Sequence, residues 1–334
     1  MTTSEPREHR RSGILDVAAM AKVSRQTVTR AMNDMSGINP ATKQRVLDAA
    51  RELAYRPSRF GRGLVTQGAP ALGLVVVDLT NGFWAELASS MLDEATERGW
   101  TVLIVEASHD VRSTIGNLLE HVDAVFGLID LPDEELDESL GATPVLLLDR
   151  PETTARPGIR LDFGSAMDAA VSHLLATGKR RIVMLDWARD DAMSHRASQF
   201  VAAAQRRGLE PLVLHDAISR EPGIEVGRQA APAARERWPD LDAFVCFNDY
   251  VAVGAIKYLQ SQEIDVPRDI SVVGIDGTAL GLVVTPELTT LRFDLREVAR
   301  IAMDAAIEMV ERPPVSGEPQ QWSVTPSLTV RHSS

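Results

Sequence analysis

From Ile14 to Met32 the apolar positions keep a helical period that is interrupted once. Val17, Ala18 and Ala21 fall on one inward face, and Val28, Ala31 and Met32 on another. Between them stands Val23-Ser24, an apolar plug followed by an N-cap hydroxyl. This pattern predicts two short helices joined by a tight turn. Asn39-Pro40 supplies an N-cap and a first-turn proline for a third helix, in which Val46, Ala49, Ala50 and Leu53 recur at helical spacing. Tyr55-Arg56-Pro57 ends it. Three helices of this size make a small domain of marginal stability.

From Ala71 the pattern changes to short apolar runs alternating with helical stretches. ALGLVVVD, TVLIVE, DAVFGLID and PVLLLD form one series; after Asp162, RRIVMLD, PLVLH, DAFVCF and ISVVGID form a second. Helices are expected near 164–176 and 193–207, each followed by a glycine, and over 294–311. LTTLRF and a strand near 321–330 are read as crossing back between the two series. Strand, helix, strand at this period predicts parallel sheets with right-handed crossovers. The expected fold is therefore α/β: a helix-turn-helix headpiece over 14–57, a glycine-containing hinge over 58–70, and two doubly wound subdomains. Their expected bounds are about 71–162 plus 292–322, and about 163–291 plus 323–334, with residues 1–13 read as a flexible N-terminus.

Charge divides the chain at the same place. Of 35 Lys and Arg and 47 Asp and Glu, residues 1–70 hold 12 and 6, a net of +6, leaving −18 for the remainder. A basic head on an acidic body confines polyanion contact to the head. The exposed side of the second helix carries Arg25, Gln26, Thr27 and Arg30, side chains suited to base edges and phosphates. The single cysteine, Cys246, excludes an intramolecular disulfide and fits a reducing compartment. Neither a signal peptide nor a membrane-spanning apolar run is read, so the expected location is cytoplasmic.

In parallel sheets, ligands bind beyond the carboxyl ends of strands. Several strands here end in Asp78, Asp130, Asp149, Asp186, Asn248 or Asp276. Facing one another they would suit a polar, polyhydroxylated ligand; singly, each can instead cap the next helix. No nucleophile elbow, Walker loop or paired-histidine motif occurs, and no catalytic residue, metal or cofactor is assigned. A solute-binding receptor is the alternative from another class. The basic head and the lack of a signal peptide weigh against it.

The ordered set of motifs resembles the lac-repressor (LacI/GalR) family of transcription regulators. It comprises Asp16–Val28 (DVAxxAxVSxxTV), the stretch from Asn39-Pro40-Ala41-Thr42 to Tyr55-Arg56-Pro57, Asp78-Leu79-Thr80-Asn81-Gly82-Phe83-Trp84, RRIVML, Phe247-Asn248-Asp249, Val266–Gly274 and Leu288-Thr289-Thr290-Leu291. The resemblance implies a homodimeric, ligand-responsive repressor on a near-palindromic operator. It places Arg25, Gln26 and Arg30 on bases, and Ser24, Thr27 and Asn33 on phosphates, with Tyr55 among the DNA contacts and Leu64 as a minor-groove wedge. It also implies an effector cleft with Asp78, Phe83 or Trp84, Asp149, Arg196, Asn248 and Asp276. Arg196 is read as a bidentate anchor or as a surface ion pair, and Trp187 as stacking on a sugar or packing in the core. A sugar or sugar derivative is the leading effector, ahead of a nucleoside or purine.

The chain departs from the family pattern in several places. Lys22 stands where a turn glycine is usual, so its side chain must tolerate or avoid a positive φ. Gly13 replaces a Thr cap. Gly61 and Gly63 in the hinge predict a helix that orders only on operator DNA. The segment from Asp110 to Val122 is shortened, and Gly82 replaces a proline.

Overall fold

The computed structural model describes residues 14–32, 37–53, 69–107, 111–140, 143–149, 156–187, 193–215, 223–312 and 319–334. Asn33, Tyr55, Leu64 and the two hinge glycines lie outside the described residues.

The headpiece contains α1 (Ile14–Ala21), α2 (Arg25–Met32) and α3 (Pro40–Glu52). Val17, Ala18, Ala21, Val28, Ala31, Val46, Ala49 and Ala50 form its buried cluster, flanked by Ile14, Val23, Met32, Ile38 and Leu53. Alanine and valine dominate, so little apolar area is removed from water and the module has little stability in reserve. Asn39 caps α3 by accepting from the Ala41 amide at 2.9 Å, and Pro40 occupies the first turn.

The rest of the chain alternates strands and helices. β1 (Ala71–Val76), α4 (Gly82–Glu97), β2 (Thr101–Glu106), α5 (Val111–Leu118), β3 (Ala124–Gly127), α6 (Asp133–Leu140), β4 (Val145–Leu148) and β5 (Gly158–Leu161) come first. α7 (Gly164–Ala176), β6 (Ile182–Asp186), α8 (His195–Arg206), β7 (Leu212–His215), α9 (Ile224–Arg237), β8 (Ala243–Cys246), α10 (Asp249–Ser261) and β9 (Ser271–Asp276) follow. The last elements are α11 (Leu280–Val283), β10 (Thr289–Arg292), α12 (Leu295–Glu311), β11 (Gln321–Val324) and β12 (Ser327–Thr329).

Two six-stranded sheets result, ordered β11-β5-β4-β3-β1-β2 and β12-β10-β9-β8-β6-β7. β1 pairs in parallel with β2 and β3, and β6 with β7 and β8, whereas β12 runs antiparallel to β10. Of the eight interior strands, β1, β3, β4, β6, β8 and β9 are buried along their whole length, as parallel strands covered on both faces are. The strand expected near 321–330 is in fact two, in different sheets. Pro326 between them has no amide hydrogen for a ladder and breaks the run.

By contact density the chain divides into two compact units. One comprises Met1–Asp78, Ala88–Gly158 and Ala299–Gln320; the other comprises Leu79–Leu87, Ile159–Val298 and Gln321–Ser334. In the second unit, α9 and α10 pack backbone against backbone through Gly227 and Gly254. A Cβ on Gly254 would lie 1.9 Å from the Ile224 carbonyl oxygen. Lys179, nearly buried, gives its ammonium to the carbonyls of Pro267, Arg268 and Asp269 at 2.9, 3.0 and 3.2 Å, closing the turn that leads into β9.

Candidate nucleic-acid interface and ligand site

In the headpiece, α1 ends because Lys22 takes a left-handed conformation, φ 54°. The Val23 amide then reaches back to the Ala18 carbonyl at 2.9 Å. Lys22 thus tolerates the positive φ rather than avoiding it. Lys22→Gly is expected to stabilise the headpiece by about 0.5–1 kcal/mol, slowing exchange of the Val17, Val28 and Val46 amides about 2–5-fold. Unchanged or faster exchange would mean that the backbone there is unstrained.

Ser24 starts α2: its hydroxyl accepts the Thr27 amide at 3.1 Å and lies 2.9 Å from the Thr27 hydroxyl. Both hydroxyls are therefore engaged in the cap. Val28 and Ala31 face the core, which turns Arg25, Gln26 and Arg30 outward as exposed side chains, with Thr27 half-exposed. Two turns of helix thus present two guanidinium groups and an amide along one accessible face. Such a face can donate to guanine, pair with adenine and reach phosphates.

The ligand-site candidates of the second unit gather around Arg196. Ser194 caps α8 through the Ala197 amide at 3.1 Å, and Ser194 is in turn held by Asp186 at the tip of β6, which accepts from its amide at 3.1 Å and from its hydroxyl. His215 Nδ1 lies 3.0 Å from the same carboxylate. This fixes the first turn of α8 and hence Arg196. Its guanidinium donates to the Phe247 carbonyl at 2.6 Å and pairs with Asp276 at 3.3 Å. It also sits 5.1 Å and 4.5 Å from the ring centres of Phe163 and Phe247. Held by two rings, a carbonyl and a carboxylate, Arg196 is preorganised to donate in a fixed direction.

Asp276 has φ 107° and precedes Gly277, whose φ is 76° and on which a Cβ would lie 2.3 Å from the Arg292 Cγ. Asp249 anchors this loop. Fully buried, it accepts the Thr278 amide at 2.6 Å, the Thr278 hydroxyl at 2.9 Å and the Thr290 hydroxyl at 2.6 Å, while Thr290 accepts the Gly277 amide at 3.2 Å. Asp186 is one of the strand-tip groups the sequence offers, but it holds Ser194 and His215; Asp249 is not a site residue in the sequence reading. The partners of Asp249 stand 29 and 41 residues away and leave no local spacing to read.

Burial raises the Asp249 carboxyl to about 6, against the hydrogen bonds that favour its ionised form. A raised carboxyl favours folding while it is protonated, so its stabilising effect is present below pH 4 and lost as pH rises through 6. The expected loss is about 2–3 kcal/mol. Urea midpoints of wild type and Asp249→Asn at pH 4 and pH 7.5 test this. The wild type should lose that amount relative to the variant, and a constant difference would contradict it.

The remaining candidates are placed as follows. Asn248 is buried and caps α10, its side-chain oxygen accepting the Val251 amide at 2.9 Å, so that oxygen has the helix-capping role. Trp187 belongs to the buried cluster of the second unit and meets Phe247 edge-on at 5.5 Å. Phe83 and Trp84 are buried, edge to face at 5.2 Å, with Phe83 6.2 Å from Phe293. Asp78 and Asp149 belong to the first unit, half-buried beyond β1 and β4, Asp149 with φ 52°. Among the described residues no group of three or more His, Cys, Asp or Glu could hold a metal ion, and no helix is long and apolar enough to cross a membrane.

Residues 13–58 match the family model described as bacterial regulatory proteins, lacI family, and residues 171–334 match the periplasmic binding protein-like domain. The regulator GalR of Escherichia coli is 30% identical over 96% of this chain and 95% of its own. Catabolite control protein A of Priestia megaterium is 27% identical over 87% and 90%. A LacI family transcriptional regulator from Arthrobacter sp. FB24, solved in complex with lactose, superposes with a TM-score of 0.72 at 28% identity, covering 79% of this chain and 99% of that one.

Proposed function

Because this chain belongs to the LacI family of bacterial regulatory proteins, we propose that it is a repressor that binds a near-palindromic operator as a homodimer and responds to a sugar or sugar derivative. The observation that carries the proposal is α2: one face locked into the headpiece core, the other presenting Arg25, Gln26 and Arg30. In this reading those three contact bases, each worth about 1–3 kcal/mol of discrimination. Ser24, Thr27, Asn33 and Tyr55 set register on the backbone, and Leu64 enters the minor groove. The headpiece covers 14–57, the hinge 58–70, and the remainder binds effector and the second subunit.

In this reading the effector residues are Asp78, Phe83, Trp84, Asp149, Arg196, Asn248 and Asp276, while Trp187, read as either stacking or core, packs in the buried cluster against Phe247. Arg196 and Asp276 donate and accept side by side, the pairing that adjacent sugar hydroxyls need. The lactose held by the Arthrobacter regulator supports a saccharide. Family members are transcriptional regulators, and in this reading the protein acts in the cytoplasm on operator DNA.

A thermal-shift panel of lactose, galactose, ribose, cellobiose, adenosine and cytidine tests the ligand class. At a hundred times its dissociation constant a ligand stabilises by about 2.7 kcal/mol. A shift with at least one saccharide is expected, lost in Arg196→Met. Shifts with nucleosides alone would overturn the sugar assignment.

A further inference from the structure

The segment Leu79–Leu87 belongs to the second unit, whereas β1 before it and the rest of α4 from Ala88 belong to the first. What holds this short segment is specific. The Tyr250 hydroxyl accepts the Gly82 amide at 3.0 Å and donates to the Thr80 carbonyl at 3.0 Å. Thr278 packs against Gly82, where a Cβ would meet its side chain at 3.4 Å. Gly82 can make this bond because, unlike a proline, it has an N–H. Phe83 adds an edge-to-face contact with Phe293, and the Arg292–Glu86 pair at 3.5 Å is too exposed to contribute much.

Tyr250 and Asp249 are neighbours in the first turn of α10 and face different partners. Asp249 fixes Thr278 directly and Gly277 through Thr290, and Gly277 and Thr278 are the two residues that follow Asp276. Tyr250 fixes Thr80 and Gly82. One helical turn therefore holds the loop carrying the candidate ligand carboxylate and also the turn that opens α4.

We infer that Asp249 and Tyr250 are positioning residues that tie the Asp276 loop to the Thr80–Gly82 turn, so that ligand capture at Asp276 is transmitted to the start of α4. The inference rests on reading Asp276 as an effector residue, which the saccharide panel tests separately; the relay itself is tested without ligand or DNA. A connected set of bonds becomes a coupling route only when perturbing one end moves the other.

The test is hydrogen exchange on the full-length protein, read at the Trp84 and Ala85 amides in the first turn of α4. These amides bond to Asn81 rather than to Tyr250 or Asp276. Asp276→Asn, in the wild-type background, should change their exchange at least threefold. In the Tyr250→Phe background, which keeps the ring and loses both hydrogen bonds, the same substitution should change it less than 1.5-fold. Urea midpoints of the two backgrounds separate a lost relay from general loosening, and exchange in the α9–α10 pair should stay unchanged by Tyr250→Phe. An equal response in both backgrounds overturns the role of Tyr250. No response in either overturns the relay, and a loss confined to general unfolding assigns Tyr250 a purely structural role.

Discussion

Asp276→Asn is expected to abolish the effector response while ligand-free operator affinity stays within about twofold. A coupling of about 1–3 kcal/mol, typical of allosteric sites, changes affinity 5–150-fold, and this variant should bring the factor to near one. The amide keeps the volume of the carboxylate, so the tight packing around a side chain only 4% exposed is preserved. It loses the charge that faces Arg196 at 3.3 Å and would accept a ligand hydroxyl. A charge-assisted hydrogen bond contributes about 1.5–3 kcal/mol, so ligand affinity should fall roughly 10–100-fold. Arg196 still has the Phe247 carbonyl and two aromatic rings, which limits wider damage. Parallel loss of operator affinity and response would show that Asp276 is structural rather than effector-binding.

Gly254→Ala is expected to destabilise the second unit by about 4 kcal/mol or more. On an exposed helix the same exchange adds about 1 kcal/mol of stability through helix propensity. Here the new methyl would meet backbone atoms: the Ile224 oxygen at 1.9 Å, and the Arg228 nitrogen and Gly227 Cα at 2.9 Å. No rotamer change can relieve that contact, so α9 and α10 must separate and expose apolar surface on both. Gly227→Ala meets the Val251 oxygen at 1.9 Å in the same crossing. The two substitutions should therefore be less than additive. Urea unfolding is the readout, and an unchanged or higher midpoint for Gly254→Ala would contradict the packing described.

Which features were legible depended on whether their cause is local. Helical spacing of Val17, Val28 and Val46 marked the three headpiece helices because burial there repeats every turn. The buried strands showed as unbroken apolar runs. Asp249 did not show itself: its partners Thr278 and Thr290 are 29 and 41 residues away, and a carboxylate opening a helix reads as an ordinary favourable charge. Gly227 and Gly254 carry no sequence signal of their own, since only the tertiary crossing reveals the need for them. Asn248 carried two meanings, strand-tip ligand and helix cap, and its capping bond appears only in the structure. The reading of Arg196 and Asp276 as ligand residues comes from resemblance; their ion pair and the aromatic clamp on Arg196 come from the structure.

The measurement that bears most directly on function is the affinity of the full-length protein for duplex DNA selected from a random pool. It would be read by fluorescence anisotropy at fixed salt, with and without the saccharide giving the largest thermal shift. The expected result is a preferred sequence of near-palindromic form, affinity reduced at least 100-fold by combined Arg25→Ala, Gln26→Ala and Arg30→Ala, and a 5–150-fold change on adding saccharide. Recovery of no preferred sequence, or equal binding by wild type and the triple variant, would contradict the assignment of α2 as the reader of DNA.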